Sequence, residues 1–141
     1  MVDHLTKERR SWNMSLIKAK NTKPEKIVRS VLHSMGYRFR IHKKNYPGHP
    51  DIVLSKYNSI IFIHGCFWHQ HKGCKYATFP KTNQEFWRKK LKSTVERDKR
   101  NILKLKAAGI NVLVIWECQV INRSNKKIQH ESLRKMLREF L

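Results

Sequence analysis

The chain has 141 residues, with 31 Lys and Arg against 10 Asp and Glu and a formal charge of +21. That length supports one domain with its own core and is short for two. No apolar run is long enough to span a bilayer, and Met1-Val2-Asp3-His4 lacks a signal peptide's apolar core, so a cytoplasmic protein with no membrane partner is expected. A field of that sign attracts polyanions, of which nucleic acid is the commonest inside a cell. Cys66, Cys74 and Cys118 are the only cysteines. An odd number favours metal ligation or free thiols over a disulfide framework.

Residues 1–20 are basic and polar, with Trp12, Met14, Leu16 and Ile17 interspersed, and suit a helix or an arm that orders on its partner. A single domain is expected over 21–141. Thr22-Lys23-Pro24-Glu25 starts a helix, with Thr22 as N-cap and Glu25 three residues on. Ile27, Val28, Val31, Leu32 and Met35 form its apolar face, and Gly36 ends it. Tyr37 to His42 alternates as a strand would. Asp51 to Leu54 follows a Pro47-Gly48-His49-Pro50 turn as a second strand, and Ile60 to Ile63 reads as a buried third. Thr82-Asn83-Gln84-Glu85 is a second capping box, opening a long basic helix to about Ala108 that Gly109 closes. Its stripe of Trp87, Leu91, Thr94 or Val95, Ile102 and Leu105 has Asp98 in line with it. Ile110 to Trp116 is another buried-type strand, and 130–141 an amphipathic helix. The order helix, three strands, helix, strand, helix predicts an α/β sandwich around a small mixed sheet.

The chemistry concentrates after the third strand, in His64-Gly65-Cys66-Phe67-Trp68-His69-Gln70-His71 with Cys74 close behind. Cys66, His71, Cys74 and the distant Cys118 make a Cys₃His set of the structural zinc type, with His69 as an alternative to His71. Parallel neighbouring strands would bring Cys118 to the others. Between Lys26 and Gln84 the one carboxylate is Asp51. It is either a turn-capping group paired with a lysine or a hard oxygen ligand for Mg²⁺. Pro-Asp, a strand and then a second buried strand is the skeleton of the PD-(D/E)xK nucleases. Here the acid of the second strand is replaced by Phe62 and its lysine by His64. Phe67 and Trp68 are consecutive in a tight turn and cannot both point inward, so in so basic a chain they invite contact with bases.

These residues resemble the very-short-patch repair endonucleases, bacterial enzymes that nick DNA beside a T·G mismatch. The likeness covers roughly residues 8–121, through Arg10-Ser11-x-Asn13-Met14, Asn21-Thr22-Lys23-Pro24-Glu25 and Pro47-Gly48-x-Pro50-Asp51. It continues in Ile61-Phe62-x-His64-Gly65-Cys66-Phe67-Trp68-His69, Val95-Glu96-Arg97-Asp98 and Val114-Ile115-Trp116-Glu117-Cys118. The resemblance implies a restriction-endonuclease-like fold, a PD-(D/E)xK variant with a mixed sheet flanked by helices and a structural zinc site. It implies that Asp51 holds catalytic Mg²⁺ with the backbone carbonyl of Ile63, where relatives often have Thr. It favours His69, oriented by Asp98, as the general base, with His64 stabilising charge on the phosphate or taking the base role instead, and Glu25 acting through metal-bound water. Zn²⁺ would sit on Cys66, His71, Cys74 and Cys118. Phe67, Trp68 and Trp87 would enter the duplex from the major groove, and Asn13 and Met14 would lie in the minor groove. The implied partners are mismatched duplex DNA, the cell's mismatch-repair machinery and, functionally, a DNA cytosine methyltransferase, with the enzyme acting as a monomer in the bacterial nucleoid. A restriction endonuclease on the same fold and a catalytically silent zinc module are the alternatives.

Overall fold

The computed structural model describes residues 21–141. The arm at 1–20, with Asn13 and Met14, lies outside them. Helix α1 (Lys23–Ser34) starts where expected: Thr22 is extended and its side chain accepts from the Glu25 amide, with Pro24 in the first turn. It buries Val28, Val31 and Leu32. Gly36 then adopts φ +86°, and the Tyr37 amide reaches back to the Leu32 carbonyl, closing the last turn.

Four strands follow: β1 (Arg40–Ile41), β2 (Ile52–Leu54), β3 (Ser59–His64) and β4 (Asn111–Trp116). They lie side by side in chain order, with β1–β2 and β2–β3 antiparallel and β3–β4 parallel. A parallel pair needs a crossover. Helix α2 (Gln84–Ala107) supplies it, and a short α3 (Glu117–Val120) and α4 (His130–Phe140) complete the chain. The element types and their order are those predicted, with α3 added.

Strand alternation sorts the core into two clusters. Ile52, Leu54, Ile61, Ile63 and Ile115 pack on one face with Val28, Leu32, Leu133 and Leu137 of α1 and α4. Val53, Ile60 and Phe62 pack on the other with Leu105 of α2. The result is helices on both faces of a mixed sheet. His64 has the parity of Ile60 and Phe62, so it emerges on the α2 side, where Asp98 runs along the helix.

Two local expectations give way to tertiary structure. The strand predicted over Tyr37 to His42 shrinks to Arg40–Ile41 at the sheet edge. Tyr37 and Phe39 instead pack against the α1/α4 cluster, Phe39 stacking on His33 at 4.6 Å and Tyr37 meeting Tyr57 edge-on. The capping box at Thr82 does not form. Asn83 occupies the cap in the left-handed region (φ +51°) with no side-chain cap bond.

Candidate active site and metal centre

A cleft of about 460 Å³ opens beside the β3 end, lined by Asp51, Ile63, His64, His69 and Asp98 together with Gly48, His49, Arg97 and Asn101. Residues far apart in sequence meet there because β2 and β3 are paired and α2 crosses over them. Asp51 precedes β2, and one carboxylate oxygen accepts from the Ile63 amide at 2.6 Å. Asp51 and the Ile63 peptide are therefore adjacent. Burial, opposed by that hydrogen bond and reinforced by the neighbouring Glu25 carboxylate, pushes the Asp51 carboxyl up to about 7. Glu25 itself is 4% exposed.

Two neighbouring carboxylates held away from water repel one another and call for a cation. Their hard oxygens suit Mg²⁺ better than a soft metal. The donor chemistry thus fits the expected ion, which Asp51 could ligate.

His69 donates from Nδ1 to Asp98 at 2.6 Å. Donation to a carboxylate fixes the tautomer and leaves Nε2 as the acceptor nitrogen. His64 stacks on His69, rings 3.8 Å apart and 6° from parallel. Although the donors of His64, His69 and Asp98 lie close enough to share an ion, ring lone pairs lie in the ring planes, and parallel planes cannot converge on one metal. With His69 already committed to Asp98, the geometry suits holding and moving a proton better than sharing an ion. Burial, with the nearby His69 adding to it, lowers the His64 imidazole to about 4, so it is neutral at physiological pH.

The second cluster is built for a soft metal. Donor atoms of Cys66, His71, Cys74 and Cys118 all lie within 4.8 Å of one another. His71 Nδ1 is 3.8 Å from the Cys66 sulfur and 3.4 Å from that of Cys118. A tetrahedral zinc with ordinary bond lengths needs donor separations of about 3.5–3.8 Å; the two His71–Cys distances are near that range and the rest of the set is within 4.8 Å, so these donors could hold Zn²⁺. His71, rather than His69, joins the cysteines, its ring stacked 4.2 Å over Trp116. Burial raises the Cys66 thiol to about 12, a state that a bound cation reverses. The loop is folded by its own backbone bonds, His69 to Gly65 and His71 to Cys66. β3–β4 pairing brings Cys118 to it, since His64 and Trp116 are in register.

Between the zinc-type ligands Cys66 and His71, the loop carries Phe67 and Trp68. They form a cluster with Trp87 from the start of α2, ring centroids 5.1, 5.6 and 5.8 Å apart. Phe86 adds a fourth ring, 60% exposed and edge-on to Trp87. Sequence reasoning missed Arg97 and Asn101, although Asn101 lies three residues beyond Asp98 on the same helical face. It also missed what Gly48 does. A Cβ there would come within 3.2 Å of both Asn101 and Phe62, and the residue has φ +82°, so only glycine lets the turn close over the cleft.

Among the described residues no helix is long and apolar enough to cross a membrane. The family described as DNA mismatch endonuclease Vsr matches residues 2–76 of the chain. The chain is 47% identical over 120 residues to a type II nicking enzyme, V.XorIIP of Xanthomonas oryzae, covering 85% of this chain and 88% of that one. It is 45% identical to the type II nicking enzyme V.NmeAIP of Neisseria meningitidis, covering 99% and 96%. With the DNA mismatch endonuclease Vsr of Escherichia coli it shares 40% identity, over all of this chain and 88% of that protein.

Proposed function

We propose a mismatch-directed nick as the reaction of this chain, which belongs to the DNA mismatch endonuclease Vsr family and is an endonuclease acting on DNA. In this reading the enzyme cuts the thymine-containing strand on the 5′ side of a T·G mismatch left by deamination of methylcytosine, and so begins very-short-patch repair. The observation that carries it is the adjacency of two devices: the Asp51, His64, His69 and Asp98 cleft, and the aromatic cluster joined to it through the Phe67–His69 turn. The sheet with helices on both faces supports a restriction-endonuclease-like fold in which Phe62 has replaced the second acid.

Asp51, with the Ile63 carbonyl and with Glu25 behind it, would hold Mg²⁺, and Cys66, His71, Cys74 and Cys118 would hold Zn²⁺. The bound Mg²⁺ would supply Lewis-acid stabilisation of charge on the scissile phosphate. His69 takes the proton from the attacking water at Nε2, and Asp98 stabilises the imidazolium that forms. His64, kept neutral by burial, donates an N–H to the phosphate oxygens. Arg97 adds positive charge at the cleft mouth.

Phe67, Trp68 and Trp87 act as a wedge. A T·G wobble pair stacks less well than a matched pair, so opening the step beside it costs less, and the difference is selectivity. Trp68→Ala is expected to lower the preference for T·G over matched duplex about tenfold or more, in line with about 1–3 kcal/mol per stacked base. Competition binding with both duplexes checks this, and equal loss on each would sink the wedge. Affinity for any duplex comes from the basic surface and falls with salt. One protomer carries a complete site, which suits a monomer making a single nick. The methylcytosine origin of the lesion ties the enzyme functionally to a cytosine methyltransferase, and the nick hands the strand to repair enzymes.

A pH dependence follows from Asp51. In the metal-free protein its carboxyl titrates near 7, and the cation binds the ionised form, so each bound ion displaces a proton from molecules protonated below that value. The Mg²⁺ concentration for half-maximal nicking is expected to rise about tenfold per unit as pH falls below about 7, and to level off above it. A midpoint independent of pH across that range would refute Asp51 as the ligand.

A strand-labelled nicking assay with Mg²⁺ on T·G and matched duplexes tests the function. Cutting of the thymine strand alone, and only in the mismatch, is expected. Double-strand cutting of matched DNA would make the protein a restriction enzyme, and binding without cutting in any flanking context would make it a silent zinc module.

A further inference from the structure

We propose that Arg29 is a positioning residue for the nick, fixing the Glu25 carboxylate against Asp51 and thereby setting the geometry in which the cleft takes its divalent cation. This rests on the reading of Asp51 and Glu25 as the acids of the cation site. In a capping box the glutamate turns back to the N-cap amide at the helix surface. Glu25 does otherwise. Its Oε2 accepts from the Asn21 amide at 2.8 Å and from Arg29 Nη2 at 3.2 Å, while Arg29 Nη1 donates to the Asn21 side-chain carbonyl at 2.8 Å. Asn21 holds φ +57° to make both contacts. Arg29 Nη2 also lies 3.4 Å from His42 Nε2, just beyond β1. One guanidinium thus ties the residue before the α1 cap, the first turn of α1 and the residue after β1 around a single carboxylate, and that carboxylate is near enough to Asp51 to push its carboxyl up.

An ordinary i,i+4 pair on a helix surface is mobile and contributes little. This one is different in kind. The Arg29 side chain is 14% exposed, and its Nε is buried with no hydrogen-bond partner among the described residues. Burying a guanidinium with an unmet donor is unfavourable for stability alone. Placement of Glu25 is the return that the surroundings show: two like charges side by side tend to swing apart, and a planar fork gripping one of them prevents it. Lysine has one donor group and cannot hold Glu25 and Asn21 together in that geometry.

Four variants of the full chain test this: Arg29→Met, Arg29→Lys, Glu25→Gln and the double variant Glu25→Gln with Arg29→Met. The readouts are single-turnover nicking of T·G duplex, duplex affinity without divalent cation, and Mn²⁺ binding followed by electron paramagnetic resonance. Arg29→Met is expected to slow nicking and weaken Mn²⁺ binding by about ten- to a hundredfold each, the range for a misplaced reacting group. Duplex affinity should change less than about twofold, because a guanidinium this enclosed makes little phosphate contact. Arg29→Lys should recover part of both losses. In the Glu25→Gln background Arg29→Met should add no further loss, since it acts through Glu25. Parental nicking and Mn²⁺ binding in Arg29→Met, or full additivity in the double variant, overturns the proposal. Should Arg29→Met not fold, Arg29→Lys carries the test alone: intermediate losses in both readouts support it and parental values overturn it. If Glu25→Gln itself behaves as the parent while Asp51→Ala does not, Glu25 has no role and Arg29 falls with it. If Asp51→Ala also behaves as the parent, the reading of the whole cation site has failed.

Discussion

Asp51→Ala is expected to reduce Mg²⁺-dependent nicking by about a thousandfold or more, while duplex affinity stays within about twofold of the parent. The size follows from what one carboxylate does here. A metal ion held at the scissile phosphate contributes several kcal/mol of charge stabilisation in the transition state, and each 1.4 kcal/mol is about tenfold in rate. No second acid in β3 can substitute, because the position that carries one in the wider nuclease group is Phe62, buried in the α2-side cluster. Glu25 is held by Asn21 and Arg29 and cannot move into the vacated place without breaking both contacts. Binding is separable from this chemistry, since the strongly basic surface (formal charge +21) attracts phosphate without Asp51, and the wedge rings lie on the Phe67–Trp68 turn and the start of α2. Asp51→Asn makes the sharper control. It keeps the shape and an acceptor for the Ile63 amide, yet loses the charge, so it separates metal ligation from turn structure. Single-turnover nicking and filter binding on the same preparations measure both effects. Cutting near the parental rate in either variant would remove Asp51 from the reaction and return it to the turn-capping role.

Much of this arrangement is legible in residue order because local and global preferences agree. Thr22, Pro24 and Gly36 mark the ends of α1, and the β3 run is apolar because both of its faces are covered. The Cys66, His71, Cys74 spacing announces a metal loop, and the step of seven from Leu91 to Asp98 to Leu105 places an acid on the inward face of α2. What sequence leaves open are choices made in three dimensions. His69 and His71 are equivalent as letters. The backbone turn and the Asp98 carboxylate send one to the cleft and the other to the cysteines. The Thr82 box is a sound local motif that loses to a left-handed Asn83. Helix α3 is one turn held by the Gln119 side chain on the Trp116 amide, too short for any periodicity to announce. Arg29 reads as one more base in a chain full of them. Its i,i+4 spacing from Glu25 is visible in the sequence, but only the fold brings it to His42 and brings Glu25 to Asp51.

If Cys66, His71, Cys74 and Cys118 hold zinc as proposed, removing it is expected to disable the enzyme by a different route. Substituting Cys118 with serine, or stripping the metal with a chelator, should lower the melting temperature by about 10–20 °C, the shift that a loss of about 5 kcal/mol produces in a domain near 150 residues. Structural zinc binds with about 10–16 kcal/mol in small domains whose fold depends on it. Here two apolar clusters hold the sheet and helices independently, so part of the domain should survive as a folded core. The loop should not. Between residues 66 and 118 the four donors join the ends of β3 and β4, and the segment from Cys66 to His71 carries Phe67, Trp68 and His69. Its other ties are individually weaker than a four-coordinate metal: the His69–Asp98 bond, His71 stacked on Trp116, the rings packed on Trp87, and, beyond Cys74, Arg123 over Tyr76 while pairing with Glu117 at 2.8 Å. Without the metal, the wedge and the base lose their placement together, while Asp51, Glu25 and Arg29 keep theirs on β2 and α1. The zinc-free protein should therefore fail to discriminate T·G from matched duplex and fail to nick, yet still bind Mn²⁺ at the acids. Metal analysis for one zinc per chain, calorimetric melting and Mn²⁺ titration before and after chelation measure these effects. A melting temperature within about 2 °C of the parent in Cys118→Ser would mean that the cysteines are idle thiols and that the loop holds its shape unaided.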